Sequence, residues 1–293
     1  PRPLTEIELP FGDRRDGKVR VSYALGGDRH GQRLFVTTDR LSAFDRIIAG
    51  VPYKGQVLNQ LSAWWFAQTA DIVSNHLVEI PDPNVTIARS AQPLLVEVIV
   101  RGYITGVTDT ALWTAYACGE RTIYGHRLPD GLRKNDVLPQ PIVTPTTKGS
   151  AGGRDVPVTC ADVATQGLVE PRLWEQVQAE ALAVYERGSE RGRDAGLILA
   201  DTKYEFGLAE SGELLLIDEV HTPDSSRWWI EAGYEDRIAA GDEPESLDKE
   251  VVRQALADVG FRGDGNVPTL ADEVWEATTA RYVDAYERLT GEA

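Results

Sequence analysis

The chain has 293 residues, of which 46 are acidic and 30 are lysine or arginine, so its formal charge at pH 7 is −16. This charge repels a phosphate backbone, and the arginines form no basic stripe, which argues against a polynucleotide partner. A small anionic substrate is still compatible with this net charge, because a few cations that converge in one cleft can bind a phosphate group. With 42% hydrophobic residues, the chain can bury a large core as one or two domains.

The two cysteines, Cys118 and Cys160, lie far apart in the sequence and form no C-x-x-C motif. We expect both to be reduced. No apolar run has membrane-spanning length, and residues 1–10 lack the charged-then-apolar order of a signal peptide. We therefore expect a cytoplasmic protein without a membrane partner. The sequence leaves open whether the protein is a monomer or a homo-oligomer.

The first third of the chain has the pattern of a β-rich region. Residues 19–25 and 33–38 are strand-like, and residues 94–103 form a long apolar strand pattern. Between them, residues 56–74 carry apolar side chains at helical spacing, which predicts an amphipathic helix. Because three prolines fall within residues 81–93, we expect a hinge or a domain boundary there.

The remaining sequence alternates helical patterns with one irregular segment. Residues 108–119, 170–191, 247–259 and 270–289 are predicted helices. Residues 125–157 are rich in glycine and proline and lack periodicity, so we expect a long loop. Loops of that length in compact domains are usually functional or mobile.

A predicted hairpin carries an unusual group of charged residues. Residues 197–209 and 213–220 are strand-like, and the Glu210-Ser211-Gly212-Glu213 link suits a tight turn. Asp201, Lys203 and Glu205 are two residues apart and therefore share one sheet face.

The register of this hairpin decides which side chains face each other. A two-residue turn places Glu205 opposite Asp218, and a four-residue loop places Lys203 there. Either register leaves Asp218 on the same face as the other three charged residues. By the same parity, Glu219 points to the opposite face.

Three carboxylates and a lysine on one face require a counter-ion or a ligand if they are buried. Glu205 and Asp218 suit magnesium, which takes one or two carboxylates together with phosphate oxygens. The alternative is an exposed charged face with cross-strand ion pairs. The polar run that follows Glu219 weakens this alternative, because it ends at Arg227, a side chain suited to bidentate phosphate binding.

Gly17 and Lys18 enter the first predicted strand, where glycine permits a close backbone approach to a ligand. Lys18 and Arg20 alternate toward one face and suit the phosphates of ATP. The segment is not a Walker motif, which requires G-x-x-x-x-G-K-[ST], and the chain contains no such match. An ordinary turn is the alternative.

Other candidates lie at strand ends and in loops. Lys54 belongs to a loop segment after the second strand that also suits a turn or an N-cap. Arg101 lies at the end of the long apolar strand. Its position suits an anion-binding site, and the alternative is a strand end that reaches solvent. Lys148 lies in the long loop. It is a candidate for gating a substrate, and the alternative is a lysine that contacts only solvent.

Seven short blocks occur in order through most of the chain. They are GKVR from Gly17, SAFD from Ser42, KGQVLNQLS from Lys54, VRGYITG from Val100, TPTTK from Thr144, LADTKYEFG from Leu199 and IDEVHTPDSSRWW from Ile217. Together they resemble the phosphoribosylaminoimidazole-succinocarboxamide synthase family, also called SAICAR synthetase, of de novo purine biosynthesis. The last two blocks are the most specific.

The resemblance implies an α+β, two-lobed SAICAR-synthase-like fold. Residues 1–92 would form an antiparallel β lobe with one helix, resembling the N-terminal lobe of protein kinases. Residues 93–293 would form a larger α/β part for substrate and metal that includes the terminal helices. ATP would lie in the cleft between the two parts.

The resemblance also implies an activity and its small-molecule partners. A ligase would join the carboxylate of carboxyaminoimidazole ribonucleotide (CAIR) to the amino group of L-aspartate, with ATP and Mg²⁺, through an acyl phosphate. Its expected residues are Lys203, Asp201 and Lys148 for catalysis; Gly17, Lys18, Arg20, Lys54 and Glu219 for ATP; Arg101, Thr108, Asp201, Lys203, Ser226 and Arg227 for the nucleotide substrate; and Glu205 and Asp218 for magnesium.

Two positions depart from the family pattern. Val107 stands where the family usually has a serine that contributes to nucleotide phosphate binding, and Thr108 follows it as a substitute. Arg154 stands where the family commonly has a histidine before an aspartate. Two other functions remain as alternatives: a small-molecule kinase with a hydroxyl acceptor, and a nucleotide-binding regulatory protein without turnover.

Overall fold

The computed structural model describes residues 1–44, 46–107, 111–148 and 156–292. The strands of the first part are β1 (Arg14–Asp16), β2 (Arg20–Ala24), β3 (Gln32–Thr37), β4 (Arg40–Ala43), β5 (Arg46–Gly50), β6 (Leu77–Asp82) and β7 (Val85–Arg89). An antiparallel five-stranded sheet has the order β1-β2-β3-β7-β6. β4 and β5 form a separate antiparallel ribbon.

A second sheet follows directly. Its strands are β8 (Ala91–Pro93), β9 (Val96–Tyr103), β12 (Val137–Val143), β13 (Thr146–Thr147), β14 (Val156–Pro157), β15 (Leu197–Ala209), β16 (Leu214–Ile217) and β17 (Ser226–Ile230). β10 (Thr122–Ile123) and β11 (His126–Arg127) form a short separate hairpin. The order is β14-β13-β9-β15-β16, with β12 also paired to β9, and β8 and β17 also paired to β15. β9 and β15 therefore form the centre of the large sheet.

The helices in the described residues are α1 (Lys54–Gln68), α2 (Leu112–Ala117), α3 (Cys160–Thr165), α4 (Pro171–Asp194), α5 (Tyr234–Ala240), α6 (Glu250–Asp258) and α7 (Asp272–Thr290). α4 begins with Pro171, whose fixed φ suits the first helical turn, and Glu170 caps it by accepting from the backbone N–H of Leu173. None of the described helices combines the length and apolarity that crossing a membrane requires.

The main core fills the space between the large sheet and the helices α1 and α4. Alternate residues of β9 and β15 point into it, among them Val98 and Tyr204, and α4 contributes Trp174. α1 contributes Trp65, whose ring stacks on Trp228 at a centroid distance of 6.3 Å. Because one face of β9 and β15 is apolar, period-two alternation directs their polar side chains to the other face.

Most predicted elements are present with shifted ends. The strands at residues 19–25, 33–38 and 94–103 correspond to β2, β3 and β9, and the helix at 170–191 corresponds to α4. The helix predicted at 56–74 is α1, which ends at Gln68; Thr69 follows as the C-cap, leaves the helical conformation with φ −120, and donates with its N–H and its hydroxyl to the carbonyl of Trp65. The division of the chain into lobes at residues 92 and 93 stays a prediction.

Two segments that lack a clear pattern in the sequence, the expected loop and the expected hinge or domain boundary, contain strands. Residues 125–157 include β12, in which Pro139 and Pro141 fall where the pairing with β9 is interrupted between Val137 and Ile142. Proline cannot donate to a ladder, so it is tolerated at such an irregularity, and it also hides the alternating pattern. Residues 81–93, where we expect a hinge or a domain boundary, largely form β7 and β8, which belong to different sheets and are separated by Ser90; the hinge or boundary stays a prediction.

The close packing of α4 against β9 generates a stability prediction. A Cβ atom at Gly102 would lie 2.1 Å from the hydroxyl of Tyr185, which donates to the carbonyl of Leu199 at 2.6 Å. We expect Gly102→Ala to lower the free energy of unfolding by about 1–3 kcal/mol, because overpacking displaces this bonded hydroxyl. Urea unfolding followed by tryptophan fluorescence measures the loss.

Gly12→Ala is the matched control, since nothing lies within 4 Å of a Cβ at that position. We expect it to change the free energy of unfolding by less than about 0.5 kcal/mol. Adding Tyr185→Phe to Gly102→Ala should recover part of the stability. Equal losses in Gly102→Ala and Gly12→Ala would contradict the packing argument.

Candidate active site

Asp201 lies at the centre of the candidate site, where three neighbouring strands meet. β9, β15 and β17 are in register such that Arg101 and Arg227 both lie opposite Asp201. Oδ2 of Asp201 is 3.0 Å from Nη1 of Arg101 and 2.5 Å from Nη1 of Arg227. Burial lowers the pKa of the Arg227 guanidinium, but Asp201 and Glu250 raise it more, so its pKa lies above the usual value. One carboxylate therefore holds two cations side by side.

Lys203 and Glu205 extend this charged row along β15. Nζ of Lys203 is 2.7 Å from Oε1 of Glu97 and 3.2 Å from Oε1 of Glu205. The other carboxylate oxygen of Glu205 accepts from Nζ of Lys148. Burial opposes the charged form of Glu205, but Lys203 and Lys148 lower the pKa of its carboxyl to about 2. Asp201, Lys203 and Glu205 share one face, as alternation predicts, while Tyr204 lies in the core on the other face.

The register of the hairpin differs from both expected registers. Glu205 pairs with Ile217, because a three-residue link, residues 210–212, joins the strands. Gly212 in this link has φ +85, a left-handed conformation that glycine adopts freely. An odd-numbered link reverses the parity of β16, so alternation alone would direct Asp218 away from Glu205. Asp218 still reaches the site because it lies beyond β16 with φ +69.

Arg20 in β2 joins the first sheet to two consecutive carboxylates. Its Nη1 contacts Asp218, and its Nη2 is 3.3 Å from Oε2 of Glu219. The prediction that Glu219 points away from Asp218 was therefore wrong, because the chain is not an extended strand at these residues. Burial raises the pKa of Asp218 to about 6, with Arg20 opposing the shift and Glu205 and Glu219 adding to it.

Gly17 and Lys18 lie at the tip of the β1–β2 hairpin. The backbone N–H of Gly17 donates to the carbonyl of Arg20 at 2.8 Å, which closes a tight turn. Both tip residues are exposed, whereas Arg20 is largely buried. The hairpin therefore places Arg20 inside the cleft and Lys18 at its rim.

Lys54 begins α1 and is fully buried. Its Nζ is 2.8 Å from Oδ2 of Asp224, and the hydroxyl of Tyr282 in α7 donates to Oδ1 of the same carboxylate at 2.5 Å. Burial opposes ionisation of Asp224, but Lys249 and Lys54 hold the pKa of its carboxyl below the usual range. This cluster ties α1, α7 and the loop before β17 together.

The remaining candidate residues differ in their burial, and two of them are not described. Ser226 is buried, and its hydroxyl donates to Oγ1 of Thr202 at 2.8 Å. Thr108 and Arg154 lie outside the described residues. Val107 is exposed.

A cavity of about 220 Å³ lies between the first sheet and the hairpin. Of the predicted site residues, Arg20, Glu205 and Asp218 line it. Among the described residues, no group of three or more His, Cys, Asp or Glu side chains forms a ready metal site.

Sequence reasoning missed three polar residues at this site. Asp224 falls within the IDEVHTPDSSRWW block, which could have drawn attention to it. Tyr282 reaches the site from α7, and His76 lines the cavity. Neither of these two has a local sequence signal, because each depends on contacts between distant segments.

Comparison with known proteins identifies the family. The family model described as SAICAR synthetase matches residues 13–270. The chain belongs to this family. Phosphoribosylaminoimidazole-succinocarboxamide synthase of Legionella pneumophila (strain Lens) is 47% identical over 291 residues, which cover 99% of this chain and 91% of the relative. A Mesorhizobium japonicum protein, named putative phosphoribosylaminoimidazole-succinocarboxamide synthase 2, is 47% identical over 277 residues, 94% of this chain and 88% of the relative.

Solved structures agree with this family. SAICAR-synthase from Saccharomyces cerevisiae, in complex with SAICAR, has a TM-score of 0.83 and 34% sequence identity. The match covers 99% of this chain and 98% of the yeast chain. The predicted family, the α+β fold and the assignment as an ATP-dependent ligase are confirmed, and the kinase and regulatory alternatives are not favoured.

Proposed function

We propose that this chain joins the carboxylate of CAIR to the amino group of L-aspartate and converts ATP to ADP and phosphate. The family and the SAICAR complex of the yeast relative support this proposal. The observation that carries it is the row of three separate ion-pair groups, at Asp201, at Glu205 and at Asp218, of which the last two border the cavity. Such a row can bind a phosphorylated substrate and a nucleotide triphosphate side by side.

We place ATP in the cavity, with its phosphates near Arg20. This guanidinium pairs with both Asp218 and Glu219, and a magnesium–triphosphate complex would bring phosphate oxygens to the guanidinium and a cation to the carboxylates. Gly17 and Lys18 at the hairpin tip would cover the phosphates from the rim of the cleft. Lys54 would act on ATP only after leaving its buried pair with Asp224.

Glu205 and Asp218 have the chemistry that magnesium requires. Burial raises the pKa of Asp218 to about 6, and Glu205 and Glu219 add to the shift while Arg20 opposes it, so carboxylates are in excess over the one guanidinium that pairs with Asp218. A divalent cation would relieve that excess, and two carboxylates with phosphate oxygens satisfy Mg²⁺. When bound, the ion would neutralise charge on the transferring phosphoryl group.

We propose that the nucleotide substrate lies along β15. Arg101 and Arg227 would bind its phosphate, because paired guanidinium groups give bidentate, charge-assisted hydrogen bonds. Asp201 orients both arginines, and Ser226 lies next to Arg227 on β17. Thr108 is a further proposed ligand of this phosphate.

The chemistry requires positioning more than a protein nucleophile. A carboxylate is a poor electrophile, so phosphorylation of the CAIR carboxylate would give an acyl phosphate that the amine of aspartate attacks. Lys203 and Lys148 flank Glu205 and would hold anionic groups of the two substrates together. Orientation and charge neutralisation supply most of the rate enhancement in phosphoryl transfer.

We also propose that the enzyme acts in the cytoplasm. Its two cysteines, Cys118 and Cys160, are free, which suits a reducing compartment.

Purified protein with ATP, Mg²⁺, CAIR and L-aspartate tests the proposed reaction directly. We expect SAICAR and phosphate to form in equal amounts, and phosphate release to require both CAIR and aspartate. Phosphate release that ignores aspartate would contradict the ligase reaction. Transfer of phosphate to a stable hydroxyl product would favour a kinase.

Replacing one proposed metal ligand tests the magnesium site. We expect Asp218→Asn to lower kcat at least about 100-fold at saturating magnesium, since it removes a charge that acts on the transferring phosphoryl group. Calorimetric titration of Mg²⁺ into the protein–ADP complex should show weaker binding. Asp284→Asn, which alters an exposed pair with Arg288 on α7, is the control. Near-normal turnover of Asp218→Asn would contradict the metal assignment.

Replacing the second arginine of the row tests the substrate subsite. We expect Arg227→Ala to raise the KM for CAIR by about 10- to 100-fold, since hydrogen bonds to charged groups contribute about 1.5–3 kcal/mol. The KM for ATP should change much less. Arg237→Ala, at an exposed arginine of α5, serves as the control. A selective effect of Arg227→Ala on the KM for ATP would place this residue in the other subsite.

A further inference from the structure

His76 lies at the junction of the two sheets, immediately before β6. Its backbone N–H donates to the carbonyl of Leu216 in β16 at 3.2 Å. Its carbonyl accepts from the N–H of Arg89 at the end of β7 at 2.7 Å. The backbone of this residue is therefore fixed from both sides, and its side chain forms part of the cavity wall.

The imidazole of His76 is buried but has unused hydrogen-bonding capacity. The residue is only 6% exposed, and its ring contacts Phe35 and Phe66 at centroid distances of 5.9 and 5.3 Å. Among the described residues, none hydrogen-bonds a ring nitrogen of His76. Buried polar groups in proteins normally have a partner, so this ring is placed to find one in the cavity.

The electrostatic surroundings of His76 favour a neutral partner. Burial, with smaller contributions from Arg20 and Arg89 and a small opposing effect from Glu205, lowers the pKa of the imidazole to about 3. The ring is therefore neutral near pH 7, with one donor and one acceptor nitrogen. A neutral ring between two arginines is a poor phosphate ligand. It suits the uncharged edge of a heterocyclic base.

The rest of this cavity wall has the shape and polarity that a base requires. Phe35 and Ile217 supply apolar surface to the same cavity. Ser62 of α1 also lines it, and its buried hydroxyl has no hydrogen-bond partner. The hydroxyl of Thr86, in contrast, already donates to Asn59 at 2.7 Å. Ser62 and His76 are thus two polar groups of this wall that can bond a ligand.

We propose that His76 donates a hydrogen bond to a ring nitrogen of the purine base of ATP, with the Ser62 hydroxyl beside it. The proposal rests on the proposed function, since it takes the cavity as the nucleotide site. It places the base at the wall formed by α1 and the segment before β6, and the phosphates at Arg20.

Calorimetric titration of the full chain with ADP, 1-deaza-ADP, 3-deaza-ADP and 7-deaza-ADP tests the proposal. One of the three analogues should bind the wild-type protein about tenfold more weakly than ADP, because it lacks the acceptor atom and leaves a buried donor unpaired. His76→Phe keeps an aromatic ring against Phe35 and Phe66. It should bind ADP about tenfold more weakly and should not distinguish ADP from that analogue.

Two further variants separate this role from general packing. Phe35→Leu changes the apolar wall, so it should weaken ADP and all three analogues equally and leave their ratios unchanged. His76→Asn keeps an N–H donor and should restore part of the discrimination, and circular dichroism establishes that each variant is folded. Full discrimination by His76→Phe, or equal binding of all four nucleotides by the wild type, would overturn the proposal.

The outcomes also distinguish this inference from the proposed function. Binding of ADP without discrimination at His76 would overturn only the assignment of the base contact. Failure of the wild-type protein to bind ADP at all would overturn both. The assay for SAICAR formation is independent of which residue contacts the base.

Discussion

The arrangement of the site depends on the buried carboxylate of Asp201 between Arg101 and Arg227. Isolated buried charges are costly, so this row is stable only while the three central strands keep their register. Strand pairing fixes that register, because Arg101 and Arg227 lie directly opposite Asp201. Two cations that would repel each other are thereby held together without a ligand. In the proposed function, an incoming phosphate would meet donors that are already oriented, so little free energy would be spent in ordering them.

Pairing of buried opposite charges continues along the cleft to the first sheet. Glu205 is paired with two lysines, and Arg20 pairs with Asp218 and Glu219. Burial alone would lower the pKa of Lys203, yet Glu205 and Glu97 raise it above its usual value, so the ammonium stays charged. The net charge of −16 therefore says little about the site, where cations and carboxylates alternate.

Local sequence rules predicted part of this site and failed at identifiable points. Period-two alternation grouped Asp201, Lys203 and Glu205 correctly, because β15 is regular there and its other face is apolar. The position of Asp218 needed the link length and a left-handed backbone, which alternation cannot supply. His76 could not be predicted, since its environment comes from β3, β7, β16 and α1, which only the folded chain brings together.

The loop between Asp218 and Arg227 connects the proposed magnesium ligand to the arginine proposed to bind the substrate phosphate. Left-handed φ values of 69° at Asp218 and 51° at His221 are unfavourable for these residues, and such strain persists only where surrounding contacts enforce it. Those contacts are buried: Trp228 Nε1 donates to the carbonyl of His221 at 2.8 Å, and the rings of Trp65 and His221 meet edge to face. The core thus holds the loop at His221 and at Trp228, next to Arg227, so a change in its packing would displace the proposed metal ligand and the proposed phosphate-binding arginine together.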